Sequence, residues 1–211
     1  MIYLFYTHFD NQLPSAQFEL MIRQLPAHIQ NKIARFRNWQ DAQRGLLGNM
    51  LLLTALKELK LDYPLADLRY TKFKRPYFDG LVDFNISHSG AYVVCGISLD
   101  DKLGVDIELI KDISLQEMQS QFSAQEWLEI VGSSDKLRAF YTHWTRKEAF
   151  LKAVGLGLSY SPDKINFIDN AITWKDEPWY CREVVLDHSY ACHIVANKEH
   201  SELIIKNICF V

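Results

Sequence analysis

Apolar residues recur along this chain in two rhythms, one of two residues and one of three to four, and the switches between them mark out the elements. Residues 2–8, "IYLFYTH", are apolar and aromatic and predict a first strand. Helical spacing follows at 14–26, opened by Pro14-Ser15, and again at 27–36. The strongest helical signal runs over 39–59, with a broad apolar side from Leu46 to Leu59. Gly45 and Gly48 interrupt it without breaking it and point to close helix packing. Residues 67–73 are strand-like, and "DFNISHSG" at 83–90 ends in a polar turn. Strands at 91–99 and 105–110 flank "DDKLG" and suggest a hairpin.

A similar order then returns. Helices are predicted at "SLQEMQSQF", "SAQEWLEIV" and, longest, 135–154, with strand candidates at 164–168, 171–174, 181–186, 190–196 and 202–209. Each long helix has an aromatic cluster near its start, Phe36 and Trp39 in the first and Phe140 and Trp144 in the second. The expectation is an α+β fold of two pseudo-symmetric α/β halves, 1–103 and 104–211, each a long helix packed on a small sheet.

Composition narrows the partners. With 211 residues, 48% hydrophobic and 23% charged, the chain has the make-up of an ordinary soluble domain. A net charge of -3 supplies no overall basic field for nucleic acid, so any anion site must come from local clustering. The four cysteines form no CxxC pair and read as mainly buried thiols of a reducing compartment; no Cys/His spacing suggests zinc. The N-terminus lacks a basic region and a cleavage signature, and no apolar run reaches membrane-spanning length. The expected location is the cytoplasm, with no membrane partner.

Four local patterns carry possible chemistry. Asp106 and Glu108 sit two apart on a predicted strand and share one face, while Val105, Ile107 and Leu109 share the other. Such a carboxylate pair either holds a hard cation such as Mg²⁺ or is the polar face of a solvated strand. In "WTRKEAFLKAVG", Glu148 and Lys152 share a helix face, with Lys147 one position round. That spacing suits an exposed ion pair as well as a site. "SHS" at Ser87, His88 and Ser89 offers hydroxyls, an imidazole and turn amides, either to a phosphate or to local backbone. A Ser-His-Asp hydrolase is disfavoured, because the serines lie outside a GxSxG elbow. Two basic clusters, Arg69, Lys72, Lys74 and Arg75, then Lys32, Arg35, Arg37 and Arg44, lie among aromatic residues.

In this order the pieces resemble the 4'-phosphopantetheinyl transferases of the surfactin-synthetase-activating type. The matching strings are "RFRNWQDAQRGLLG", "KRPYF", "FNISHSG", "GVDIE", "FSAQEW" and "WTRKEAFLKAVGLGL", which span 35 to 158. The resemblance implies two similar halves with coenzyme A between them. It also implies Mg²⁺-dependent transfer of phosphopantetheine to a serine of an apo acyl or peptidyl carrier protein, with release of adenosine 3',5'-bisphosphate. By the same resemblance Asp106, Glu108 and Glu148 hold Mg²⁺, and Glu148 is the general base. Lys152 lies at the pyrophosphate and Lys147 is a further basic contact. Ser87, His88, Lys32 and Arg44 hold the 3'-phosphate, and Arg75-Pro76 stands beside the adenine. The change from the family's lysine to Arg75 keeps charge but not shape. The carrier is expected to dock near 111–130, on a monomer. The rivals are a non-catalytic binding module and a Mg²⁺-dependent phosphohydrolase.

Overall fold

The computed structural model describes residues 1–199 and 202–210. Val211, the predicted end of the second half, lies outside the described residues. The first strand, β1 (Ile2–His8), buries both of its faces: Leu4 and Phe5 are fully enclosed. Two short helices follow, α1 (Ser15–Ile22) and α2 (Ala27–Ile33), each opened by a proline whose missing N–H costs nothing at a helix start. The long helix α3 (Trp39–Glu58) begins where Asn38 accepts from the Asp41 amide at 2.8 Å. Its apolar side, including Leu46, Leu47, Leu51 and Leu52, packs on one face of the first sheet. Gly48 lets it approach closely, since a Cβ there would stand 2.9 Å from Ile86.

The remaining elements are β2 (Arg69–Tyr70), β3 (Pro76–Tyr77), β4 (Asp83–Ser89), β5 (Tyr92–Ser98) and β6 (Leu103–Leu109), then α4 (Leu115–Met118), α5 (Ala124–Gly132) and α6 (Lys136–Val154), and finally β7 (Ala171–Trp174), β8 (Glu177–Glu183), β9 (Tyr190–Ala196) and β10 (Leu203–Asn207). One four-stranded sheet has the order β10-β1-β5-β4; the other has β6-β9-β8-β7. In the first, β1 pairs antiparallel with β5 and parallel with β10. The second is antiparallel throughout. The two sheets share a core in which Ile2, Leu4 and Val94 meet Val105, Ile107 and Ile194. The second sheet's other face takes α6, through Ala149, Phe150 and Ala153 against Trp179 and Val195. Helix, sheet, sheet and helix thus form four layers of an α+β fold.

The structure departs from expectation at several places, among them 164–168, which form no strand beyond an isolated bridge at Ile168. Residues 91–99 and 105–110 are not a hairpin: β5 pairs with β4 and β1, and β6 pairs with β9 in the other sheet. "SHS" is not a turn, because Ser87, His88 and Ser89 belong to β4; the turn is Gly90, with φ +54°. The division at 103/104 falls just inside β6, where the chain passes from the first sheet to the second, and β10 returns to lie beside β1. Among the described residues no helix is long and apolar enough to cross a membrane.

Candidate active site

Helix α6 carries Glu148 and Lys152, and its seat on β6 depends on one missing side chain. A Cβ on Gly104 would stand 2.1 Å from the Ala149 carbonyl oxygen and 2.4 Å from the Ala153 amide nitrogen. Only glycine lets helix and strand backbones come this close. The helix starts at Asp135, whose carboxylate accepts from the Arg138 amide, and ends at Gly155, with φ +72°. Between these caps it lies over the face of β6 that bears Asp106 and Glu108.

The contact that results is not the exposed i,i+4 pair that spacing permits. The Lys152 ammonium donates to Asp106 Oδ1 at 2.5 Å and to Ser87 Oγ at 2.9 Å. Asp106 is 2% exposed. Its other oxygen, Oδ2, is buried without a hydrogen-bond partner, and so is Glu148 Oε1. Burial, then the Asp106 charge, pushes the Glu148 carboxyl up to about 7, with Lys152 opposing and Glu108 adding a little. Glu108 is also raised by burial and by Asp106, while its bond from Ser89 Oγ, at 2.6 Å, pulls it back. Three carboxylates therefore feel one another here. Among the described residues, though, no three Asp, Glu, His or Cys side chains are gathered closely enough to enclose a metal ion.

On the other side of β4 lies a solvent-open cleft of about 230 Å³ under α2 and α3. Lys32, Arg44, Lys74 and His88 give it positive charge; Phe36, Tyr70, Pro76 and Ile86 give it apolar walls. Lys32 Nζ stands 5.6 Å from the centre of the Tyr70 ring. Arg44 is held in place by the Gly90 carbonyl at 2.8 Å and by Asp41 at 2.5 Å. Desolvation at the cleft, then the nearby Arg44 charge, holds the His88 imidazole below its ordinary pKa. The cleft suits a ligand with a flat ring and an anionic group.

The predicted residues thus fall into three sets. Asp106, Glu148, Lys152, Ser87 and Glu108 meet at α6, β6 and the edge of β4. Lys32, Arg44, Pro76 and His88 line the cleft. Two others go elsewhere. Lys147, expected as a further basic contact to the ligand, is 1% exposed and points to the opposite side of α6. Its ammonium meets Glu126 at 2.8 Å and the carbonyls of Pro162 and Ile165 at 2.8 and 2.6 Å. Burial lowers its pKa and Glu126 opposes that shift. Arg75, expected beside an adenine, bonds Asp83 and the Leu103 carbonyl, each at 2.9 Å, and ties β4 to the start of β6. Sequence reading missed Gly104 as the seat of α6, and Ser89 as the partner of Glu108. A signal for the second was present: Asn85, Ser87 and Ser89 alternate as one polar face, like Asp106 and Glu108.

Residues 102–202 match the model of the 4'-phosphopantetheinyl transferase superfamily, and 13–98 match that of a 4'-phosphopantetheinyl transferase N-terminal region. A 4'-phosphopantetheinyl transferase of Bacillus subtilis is 33% identical over 75% of this chain and 73% of its own. The 4'-phosphopantetheinyl transferase gsp of Aneurinibacillus migulanus is 29% identical over 99% of this chain and 94% of its own. Among solved structures, the holo-[acyl-carrier-protein] synthase of Thermotoga maritima aligns with 47% of this chain and 64% of its own, at TM-score 0.37 and 14% identity, a match too distant to bear on the fold.

Proposed function

This chain belongs to the 4'-phosphopantetheinyl transferase superfamily, and from that premise we propose that it transfers the 4'-phosphopantetheine arm of coenzyme A to a serine of an apo acyl or peptidyl carrier protein. The observation that carries the proposal is the joining of a half-buried Asp106–Glu148–Lys152 centre to a basic, ring-lined cleft across a single strand, β4. Coenzyme A has matching parts: a pyrophosphate for the centre, and an adenine with a 3'-phosphate for the cleft. On this reading Lys32, Arg44 and His88 receive the 3'-phosphate, Tyr70 and Pro76 face the adenine, and coenzyme A spans the two sheets.

The serine oxygen forms a bond to the phosphorus nearer the pantetheine, and the bond from that phosphorus to the bridging oxygen breaks. The leaving group is adenosine 3',5'-bisphosphate, which keeps the bond's electrons. The serine proton goes to Glu148, whose carboxyl carries an unpartnered oxygen beside Asp106 and Lys152. The Lys152 ammonium stands where negative charge grows on the departing oxygen.

Mg²⁺ fits this centre. Asp106 Oδ2 and Glu148 Oε1 are hard, buried donors without partners, and two raised carboxyls show crowded negative charge. Asp106 and Glu148 would hold the ion, while Glu108, bonded to Ser89, does not close a three-carboxylate set around it. When bound it neutralises charge on the pyrophosphate.

Lys147 and Arg75 have no part in ligand binding on this account. We place the activity on a cytoplasmic monomer. The buried Cys95, Cys181 and Cys192 thiols, all pushed up in pKa by burial, accord with a reducing compartment. The carrier docks beside 111–130, where Leu128 of α5 is 69% exposed. Intact-mass analysis of a panel of apo carrier proteins, with coenzyme A and Mg²⁺, tests the reaction. Gain of one phosphopantetheine mass by a carrier is the expected result. Release of free phosphopantetheine without any acceptor would point to a phosphohydrolase instead.

A further inference from the structure

Successive side chains of β4 face opposite ways. Phe84, Ile86 and His88 look into the cleft; Asn85, Ser87 and Ser89 look at β6. Ser87 and His88 are neighbours in sequence, yet they serve different surroundings. We propose that Ser87 and Ser89 are positioning residues for the acidic centre, and that neither is a ligand of the coenzyme's 3'-phosphate. The proposal rests on the transferase reading above.

The β6 edge next to β4 presents alternate N–H groups, and β4 meets them with side chains. Asn85 Oδ1 accepts from the Val105 amide at 3.0 Å, Ser87 Oγ from Ile107 at 3.4 Å, and Ser89 Oγ from Leu109 at 3.1 Å. Each serine then reaches to the carboxylate one residue earlier. Ser87 donates to Asp106 Oδ1 at 2.9 Å, and Ser89 to Glu108 Oε2 at 2.6 Å. The same two-bond clasp thus occurs twice, two residues apart on both strands.

Hydroxyl capacity decides what Ser87 can do. A serine hydroxyl has one hydrogen to donate and two lone pairs to accept with. At Ser87 the hydrogen goes to Asp106, and the lone pairs take the Ile107 amide and the Lys152 ammonium. The residue is 5% exposed. To bind a phosphate it would have to release Asp106. In its present role it fixes one Asp106 oxygen and leaves Oδ2 unpartnered for a cation. Groups that orient a metal's ligands typically change its affinity by about 10- to 100-fold.

The test uses the full chain with Ser87→Ala, Ser87→Thr, Ser89→Ala and His88→Ala. Calorimetry measures Mg²⁺ affinity with coenzyme A bound and no carrier present. Transfer kinetics compare coenzyme A with 3'-dephospho-coenzyme A. In S87A, Mg²⁺ affinity should fall about 10-fold or more, and the kcat/KM ratio between the two substrates should stay at the wild-type value. S87T restores the hydroxyl and most of the Mg²⁺ affinity. S89A weakens Mg²⁺ less, and H88A lowers the substrate ratio instead. Wild-type Mg²⁺ affinity in S87A, or a substrate ratio that collapses as in H88A, overturns the proposal. If S87A does not fold, S89A decides: unchanged Mg²⁺ affinity there overturns it. A wild-type chain that binds Mg²⁺ and coenzyme A but modifies no carrier overturns the transferase reading, while the Mg²⁺ titrations of the variants still judge the two serines.

Discussion

At Glu148 burial sets a protonation state. The carboxyl is raised from an ordinary 4.5 to about 7, so the folded chain binds a proton that the unfolded chain has lost. Its contribution to stability is full below about pH 4.5 and is lost as pH rises through about 7. His193 slopes the other way. It is buried against Thr145 at 2.7 Å with its pKa pressed down to about 3, so its contribution is lost as pH falls from about 6.5. Urea unfolding of Glu148→Gln beside the wild type, with a chelator present, isolates the first effect. The variant should gain relative stability between about pH 5 and about pH 8, by at most about 3 kcal/mol. A difference that does not change with pH would show that Glu148 ionises normally. Lys147 gives the contrast: Lys147→Met strands Glu126 and two carbonyls, and should cost about 3 kcal/mol or more in urea unfolding. The KM for coenzyme A of folded K147M should stay near wild type; a large rise would return Lys147 to the ligand site. The sequence could not separate Lys147 from Lys152. Both lie on one short basic stretch of α6, and only the partner elements, α5 with 162–165 against β6 with β4, tell them apart.

Among elements, the long helices were legible because their apolar stripes and caps are local. The pairing of strands was not. Residues 91–99 and 105–110 carry every mark of a hairpin, yet β5 finds better partners in β1 and β4. The polar residues of β4 read as a turn because side chains, rather than backbone, satisfy the neighbouring edge of β6, and no local pattern announces that use. Gly104 links β6 to α6 with equal economy. Gly104→Ala drives a methyl into the Ala149 carbonyl and the Ala153 amide, so α6 must shift. Transfer should fall at least about 100-fold, because misplacement by about 1 Å suffices for such a loss, and urea unfolding should show a clear loss of stability. Wild-type transfer by G104A would mean that the helix seat does not set the site.

For the whole molecule, composition and motif order indicated the α+β class and the family, but not the return of the chain's last strand. β10 pairs with β1 across more than 190 residues of sequence, from Ile2 against Leu203 to Tyr6 against Asn207, and a strand so far away leaves no periodic trace beside its partner. Deleting 203–211 bares the β1 edge and should leave a chain that aggregates or fails to unfold cooperatively; a soluble, cooperatively folded deletion would make β10 an accessory. The side chains that the fold gathers were partly legible, since paired carboxylates and basic residues among aromatics stand out by type, although Lys147 and Arg75 go elsewhere. What the sequence left out was the arrangement of acidic centre and basic cleft on opposite faces of β4.

The central claim is that Asp106 and Glu148 form the transfer centre. Intact mass of an apo carrier protein, after incubation with coenzyme A, Mg²⁺ and either wild-type chain, Asp106→Asn or Glu148→Gln, tests it most directly. The wild type should add one phosphopantetheine mass, and each folded variant should add at least about 100-fold less in the same time. Wild-type transfer by either variant would contradict the account.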